Sequence, residues 1–259
     1  MIKVAVGGAT GRLGKAVCDI IASSEDMELA GAIVSREGGN AGKELYPGLK
    51  AVGPESAEAA IRGCDVYVDL TSPDAAASLI ADVPSWGANV VLGTTAVPDG
   101  VLGALAENTS KFGTSSLVSS NFAAGVNVFW KACSYLAAAL PDYDIEIIEM
   151  HHGAKKDAPS GTAAEALKRL QAASGIDYAV YGRQGVPGPR GREIGVHAVR
   201  AGDIVGDHTV IFAKNMERLE LTHKAVSREA FAIGCVASIR WIAGRKDGKV
   251  HNMEEVLGL

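Results

Sequence analysis

The stretch whose reading decides the fold is "VAVGGATGRLGKAV", Val4 to Val17. Apolar strand residues run into a glycine turn, and a helix-like segment follows at once. Gly8, Gly11 and Gly14 stand across that turn at a G-x-x-G-x-x-G spacing. Glycines let the chain turn tightly and let backbone N–H groups approach a pyrophosphate, while the helix N-terminus adds partial positive charge. A glycine turn can also simply join a strand to a helix. The spacing therefore gains its meaning from its place between the two.

Outward from this turn, the first ~120 residues alternate short apolar runs with amphipathic segments, the rhythm of an α/β chain. Strands are expected at Ile2–Val6, Leu29–Val34, Val66–Leu70, Asn89–Leu92 and Leu117–Val118. Helices are expected at Leu13–Ser23, Ala57–Ile61, Ala75–Ala81 and Val101–Lys111. Nearly continuous apolar strands fit a parallel sheet covered on both faces, a doubly wound arrangement. The pattern then changes. A helix-like run, Val126–Leu140, precedes the long strand-like "YDIEIIEMHH", and a helix is expected over Ala163–Ala173. Three strand-like segments follow, Ile194–Ala201, His208–Ala213 and Arg218–His223. Successive strands predict a second, α+β domain on a mixed sheet over 123–228. Residues 1–122 then form a first domain that the last helical run, Arg228–Ile242, rejoins, giving 1–122 plus 229–259.

The ends of the first-domain strands are the candidate cofactor contacts, because open α/β sheets bind ligands at their carboxyl edge. The second strand ends in "AGAIVSREGG", with Ser35 and Arg36 at its tip. A dinucleotide ribose is expected there, and the planar fork of an arginine suits a 2′-phosphate. NADPH is therefore favoured, with NADH open because Glu37 lies one residue further on. An exposed arginine without a ligand is the plain alternative. Two later ends, "LGTTAV" (Gly93, Thr94, Thr95) and "VSSNFAAGVN" (Ser119, Ser120, Asn121, Phe122), offer small and hydroxylated residues for a flat nicotinamide, or ordinary turn chemistry.

The second candidate site is "EMHHGAKKDAPSGTA", Glu149 to Ala163. Pro159 suits the first turn of a helix, and Thr162-x-x-Glu165 matches a capping box, so the helix is expected to begin near Ser160. The amides of Gly161 and Thr162 would then seat a carboxylate, with Lys155 and Lys156 supplying full charges. A capped helix with solvated lysines is the bland alternative. Adjacent residues on a strand point to opposite faces, so His151 and His152 are not expected to share a metal, and none is expected. Histidine exchanges protons near neutrality, and Lys155 can act as a charged acid or an anion ligand. A hydride donor and a proton donor serving a dianionic pocket spell a reductase of a C=C or C=N bond.

Bulk properties narrow the field. With 259 residues, 47% of them hydrophobic, the chain can bury a core, and a net charge of −5 gives no general field for nucleic acid. Cys18, Cys64, Cys133 and Cys235 are far apart and form no C-x-x-C, so reduced, buried thiols are expected. No apolar run reaches the ~20 residues of a membrane span. The opening "MIKVAV" reads as a strand rather than a leader, so a cytoplasmic setting is expected.

At this point the motifs resemble a known family. "EMHHGAKKDAPSGTA" is similar to the signature of dihydrodipicolinate (4-hydroxy-tetrahydrodipicolinate) reductases of lysine and diaminopimelate synthesis. "VGGATGRLG", "GTT", "SSNFAAGVNV", "YDIEIIEMHH", "VRAGDIVGDHTVIFA" and "ERLELTHKAVSR" look like family segments in family order, over essentially the whole chain. The resemblance implies a Rossmann-like first domain, a second domain that builds a homotetramer, and a small dicarboxylate substrate. It implies that Gly8, Ala9, Thr10, Gly11, Arg12 and Leu13 wrap the pyrophosphate. Ser35 and Arg36 would meet the adenosine ribose, and Gly93–Thr95 with Ser119–Phe122 the nicotinamide half. His151 and Lys155 would be catalytic, and His152, Gly161 and Thr162 would bind substrate carboxylates. Two features depart from the family: Ser35 stands where many members carry an acidic residue, and the loop Gly182–Glu193 is compact and rich in glycine and proline. The competing readings are a redox-sensing dinucleotide-binding regulator and an oxidoreductase of another substrate; neither needs the second motif.

Overall fold

The structure is a computed structural model and describes all residues, 1–259. In chain order its first half comprises β1 (Ile2–Gly7), α1 (Arg12–Ala22), β2 (Met27–Ile33), β3 (Glu44–Tyr46), β4 (Leu49–Lys50), α2 (Ala57–Ile61), β5 (Val66–Asp69), α3 (Pro73–Ala77), β6 (Asn89–Leu92), α4 (Asp99–Phe112) and β7 (Ser116–Val118). Then come α5 (Ala124–Ala139), β8 (Asp144–His151), α6 (Gly161–Ser174), β9 (Ala179–Tyr181), β10 (Ile194–Arg200), β11 (Asp207–Lys214), β12 (Glu217–Lys224), α7 (Glu229–Ile242), β13 (Val250–His251) and α8 (Met253–Leu257). Two compact units result: Met1–Ala124 with Glu229–Leu259, and Gly125–Arg228.

The first unit is built on a six-stranded parallel sheet in the order β13-β7-β6-β5-β1-β2. Val4–Val6, Val66–Val68 and Val90–Leu92 are fully or almost fully buried, as strands covered on both faces must be. The apolar residues of α1 recur at helical spacing. Val17, Cys18 and Ile21 pack with Ala232, Cys235, Val236 and Ile239 of α7 in one core. Fully burying a side chain such as Ile21 is worth roughly 1.5–3 kcal/mol. A buried asparagine fastens the return of the chain. Asn89 Nδ2 donates to the carbonyls of Ile242 (2.7 Å) and Arg245 (3.1 Å), and its Oδ1 accepts from Ser115 N (2.9 Å). Strand order reverses between β1 and β5, whose carboxyl ends, Gly7 and Asp69, lie side by side. That switch point is where an open sheet leaves a crevice.

The second unit holds a five-stranded mixed sheet, β12-β11-β8-β10-β9, in which β8, β10 and β9 run parallel and β11 opposes both β8 and β12. Along β8, Ile145, Ile147, Glu149 and His151 are buried while the residues between them are not. Alternation puts these four on one face. The α/β class with a doubly wound parallel sheet and a second, mixed-sheet unit is as the residues led us to expect. The elements without prior expectation are β3, β4, β9, β13 and α8, which are two to five residues long. Segments so short carry too few repeats for either periodicity to register.

Candidate functional site

In the first unit the glycines of the opening turn do distinct jobs. Gly8 has φ +76°, and a Cβ there would lie 2.2 Å from the Leu70 carbonyl oxygen. A Cβ on Gly14 would lie 2.1 Å from the Gly8 carbonyl oxygen, so α1 can approach the turn only without one. Gly11 is the N-cap of α1 and makes no side-chain cap. The amides of Arg12, Leu13 and Gly14, the first of the helix, thus have no intrahelical acceptor and remain available to an anion. The Ala9 amide is already engaged, donating to Ile33 O (3.3 Å), and Leu13 packs its side chain against the core. The cradle therefore fits a pyrophosphate by its backbone, as a dinucleotide requires.

A cavity of ≈ 460 Å³ opens at the switch point, and Gly8, Thr10, Gly11 and Ser35 line it. So do Asp69, Thr71 and Ser72, which are not among the residues expected from sequence. Asp69 is completely buried and gathers four hydrogen bonds. Tyr67 Oη and Thr71 Oγ1 donate at 2.8 Å, Thr94 Oγ1 at 2.5 Å and Thr71 N at 3.2 Å. Thr94 Oγ1 in turn accepts from Thr71 N at 2.8 Å. The carboxylate thus ties the ends of β5 and β6 together. Its signal was the polar "DLTS" closing an apolar strand.

Arg36 lies at the expected tip, outside the lining, with Nε 3.2 Å from Glu55 Oε2. Gly93 is pressed under the ring of Phe122, which is only 2% exposed and belongs to the core. Ser119 and Asn121 close a local turn: Ser119 Oγ donates to Asn121 O (2.7 Å), and Asn121 Oδ1 accepts from Ala123 N (2.9 Å). Thr95, Ser120 and Arg12 are exposed.

In the second unit the opening of α6 corrects one expectation. Ser160 is the N-cap, its Oγ accepting from Ala163 N at 3.2 Å. Pro159 precedes the cap instead of occupying the first turn, and Thr162 and Glu165 do not form a capping box. With Ser160 as cap, the third helical position falls on Ala163. Glu165 pairs with Arg169 instead (2.8 Å). The start of the helix at Gly161 still leaves the amides of Gly161 and Thr162 at its positive end, and Thr162 O accepts from Trp130 Nε1 at 3.0 Å.

His151, at the end of β8, is 9% exposed and its Nδ1 lies 2.6 Å from Oε2 of the fully buried Glu149. Arg200, the register partner of His151 on β10, grips both oxygens of Glu149 at 2.7 and 2.9 Å, and Ser160 N donates to Glu149 Oε1 at 3.1 Å. His208, opposite Glu149 on β11, places Nε2 2.9 Å from Ser160 Oγ, and its ring meets His151 edge-on at 5.1 Å. Burial pushes both imidazoles below their ordinary value, His208 to about 4 with the nearby His151 adding to the effect. Burial works against ionisation of Glu149, but the hydrogen bonds from Arg200 and His151 outweigh it and hold the carboxyl low. Lys155 pairs with Asp157 at 2.9 Å, and His152 Nε2 accepts from Arg228 at 3.2 Å. Sequence alone singles out His151, His152, Lys155, Gly161 and Thr162; only the fold adds Glu149, Arg200, Ser160 and His208 as a network. The even spacing of Glu149 and His151 on β8 was the available signal.

The loop Gly182–Glu193 is pinned to the sheet. Arg183, Arg190 and His197 converge on Glu146 at 2.7–3.2 Å and, against its burial, hold that carboxyl at about 2. No helix in the chain is long and apolar enough to cross a membrane.

Comparison with known proteins matches residues 2–122 to the family model "Dihydrodipicolinate reductase, N-terminus" and residues 125–257 to "Dihydrodipicolinate reductase, C-terminus". The chain is 43% identical over 272 residues to a 4-hydroxy-tetrahydrodipicolinate reductase of Methanothermobacter thermautotrophicus, covering 100% of both chains. It is 43% identical over 270 residues to the enzyme of that name from Methanocaldococcus jannaschii, covering 100% of this chain and 98% of the other. Its fold resembles that of a dipicolinate-bound dihydrodipicolinate reductase from Paenisporosarcina sp. TG-14, with a TM-score of 0.82, 26% identity and 98% of each chain covered. With both of its halves matched and full-length relatives above two-fifths identity, the chain belongs to the dihydrodipicolinate reductase family.

Proposed function

We propose that the chain reduces 4-hydroxy-tetrahydrodipicolinate to tetrahydrodipicolinate with NAD(P)H, in lysine and diaminopimelate synthesis. The observation that carries this reading, beside the family, is the Glu149–His151 pair bonded to the cap of α6. One carboxylate, Glu149, thus links a proton-exchanging ring to the residue that caps the anion seat. The substrate is a ring with two carboxylates, and the names of the relatives agree with it.

A reduced nicotinamide, when bound, supplies the hydride. The amides at the start of α1, in the turn Gly8–Leu13, hold its pyrophosphate, and Ser35 and Arg36 meet the adenosine ribose. Gly93–Thr95 and Ser119–Phe122 shape the nicotinamide end, Phe122 from within the core. NADPH is the favoured donor because Arg36 offers its guanidinium to a 2′-phosphate, and NADH is the alternative because Glu55 already occupies that side chain.

The amides of Gly161 and Thr162, with His152, bind the substrate carboxylates and so orient the ring. Loss of water leaves a conjugated imine. As hydride reaches ring C4, electron density shifts to the nitrogen, which takes a proton. Lys155 is the proton donor and fixed cation, and His151 exchanges the proton through Nε2. We read the working form as a cytoplasmic homotetramer; the exposed Leu219 on the edge strand β12 and Met216 beside it support association through the second unit.

The test is an assay with the product of the preceding synthase, run with NADPH and NADH in turn. Oxidation of either cofactor that depends on that product is the expected result, faster with NADPH. No oxidation with either would overturn the reading.

A further inference from the structure

We propose that Glu149 is a positioning residue that dictates which nitrogen of His151 carries the proton, and that Gly206 keeps the other nitrogen open. The inference rests on the reading of His151 as the proton-exchanging group and goes beyond it, giving Glu149 a definite task in the pair and adding Gly206.

The geometry is one of donors and acceptors. Three unambiguous N–H donors converge on the Glu149 carboxylate: Arg200 Nη1 on Oε2 (2.9 Å), and Arg200 Nη2 (2.7 Å) and Ser160 N (3.1 Å) on Oε1. His151 Nδ1 is the fourth neighbour, 2.6 Å from Oε2. An ionised carboxylate only accepts, so Nδ1 must carry the hydrogen. In the neutral ring Nε2 then bears the lone pair, and in the charged ring Nε2 holds the proton that can leave. Arg200 makes the arrangement rigid: Nη2 also donates to Asp157 O and Nη1 to Val199 O, both at 2.7 Å.

On the other side of the ring stands Gly206. It is buried, and a Cβ built on it would lie 3.0 Å from His151 Nε2. Its φ is not among the positive values of the chain, so no backbone demand explains the glycine. The missing side chain is what leaves Nε2 uncovered. The charged and titratable groups around the imidazole are Glu149 on its own strand, Arg200 on β10, His208 on β11 and Lys155 in the following loop. Of these only Glu149 is negative, so it alone favours the protonated ring.

Glu149→Gln separates this role from packing. The amide keeps the shape and its oxygen, in the place of Oε1, still accepts from Ser160 N and Arg200 Nη2. Its NH2 group, in the place of Oε2, gives up the Arg200 Nη1 bond and faces a second donor unless His151 turns Nδ1 into an acceptor and moves its proton to Nε2. Side-chain ¹⁵N NMR of histidine-labelled protein reads this directly. In the unaltered protein we expect Nδ1–H with a bare Nε2 near neutral pH, and in Glu149→Gln the inverted tautomer. We expect kcat to fall about 100-fold or more while the substrate KM moves little, because Oε1 can still accept from Ser160 N. The His151-linked limb of the kcat–pH profile should shift down by about one unit or more, since the charged ring loses its one anionic neighbour. Glu149→Asp should recover part of kcat. Gly206→Ala should lower kcat without changing the tautomer.

Nε2–H in the unaltered protein would overturn the proposal even if no variant folds. So would an unchanged tautomer and pH limb in a folded Glu149→Gln. Failure of the functional reading looks different: His151→Gln would then leave turnover intact whatever the tautomer.

Discussion

The two candidate sites are made of different materials. In the first unit the machinery is backbone: open amides at the start of α1, reached because Gly8 and Gly14 have no side chain. In the second the proton-handling part is side chains, a carboxylate, a guanidinium, two imidazoles and a hydroxyl drawn from β8, β10, β11 and the cap of α6, and only the anion seat at the start of α6 is backbone. A backbone site tolerates changes of charge nearby but not an added methyl group. A buried side-chain network tolerates a methyl in open space but not the loss of one partner, because each remaining group is then left unsatisfied. The contrast can be tested from either side.

The largest effect should come from the side-chain site. His151→Gln and Lys155→Ala are each expected to lower kcat about 10²- to 10⁴-fold, the usual worth of a positioned acid or base. NADPH affinity, measured by fluorescence titration, should stay unchanged. Equal loss of turnover and cofactor affinity would mean that these residues hold the protein together and do no chemistry.

Next comes the backbone site. Gly14→Ala puts a Cβ 2.1 Å from Gly8 O, an overlap that only movement of the turn relieves. Overpacking of this kind costs about 1–3 kcal/mol, so the cofactor Kd should rise roughly tenfold to a hundredfold. Gly161→Ala is the counterpart. A Cβ there meets nothing within 4 Å, and the amide is retained. Its substrate KM should change by less than about twofold, well under 1 kcal/mol. If the two alanines behave alike, glycine serves the same purpose in both places and the contrast fails.

The same distinction explains what was legible in the sequence. Gly8, Gly11 and Gly14 announce a backbone site because spacing along the chain is all that such a site needs. The long apolar strands and amphipathic helices showed the α/β class for the same reason, whereas β13 and the β3–β4 hairpin are too short to leave a pattern. His151 and Lys155 stood out by chemistry. Their partners did not, because Arg200 lies 51 residues from Glu149 and His208 lies 48 from Ser160; strand pairing alone brings them together. Glu149 was half visible, two residues before His151 and so on the same face of β8. Thr162 and Glu165 match the spacing of a capping box, yet the chain makes its cap two residues earlier at Ser160.

A smaller effect concerns the buried imidazole of His208. Its folded value of about 4 lies below the ordinary 6.5, so the neutral ring stabilises the fold. That contribution is complete above 6.5 and is lost as pH falls toward 4. Melting temperature should therefore be flat above neutrality and decline between those values, less steeply in His208→Gln. Ser160→Ala removes both the helix cap and the His208 partner and should cost about 1 kcal/mol in urea unfolding at pH 7. A melting temperature independent of pH across this window would contradict the burial of a neutral ring.

The smallest effect tests whether one charge can tune the backbone site. Arg36 and Glu55 form an exposed pair, 3.2 Å apart with more than half of each side chain in solvent, and such pairs are weak. A 2′-phosphate carries more charge than a carboxylate and should draw Arg36 away from Glu55, while Glu55 repels it. Arg36→Ala should thus weaken NADPH more than NADH, and Glu55→Gln should strengthen NADPH more than NADH. Each should move the ratio of the two Kd values about two- to fivefold, the scale of a surface ion pair. The opposed signs are the stringent part. If both variants move the ratio the same way, the two side chains act on the loop that carries them and not on the phosphate. If neither moves it, selectivity lies with the amides and hydroxyls, and the first site is backbone throughout.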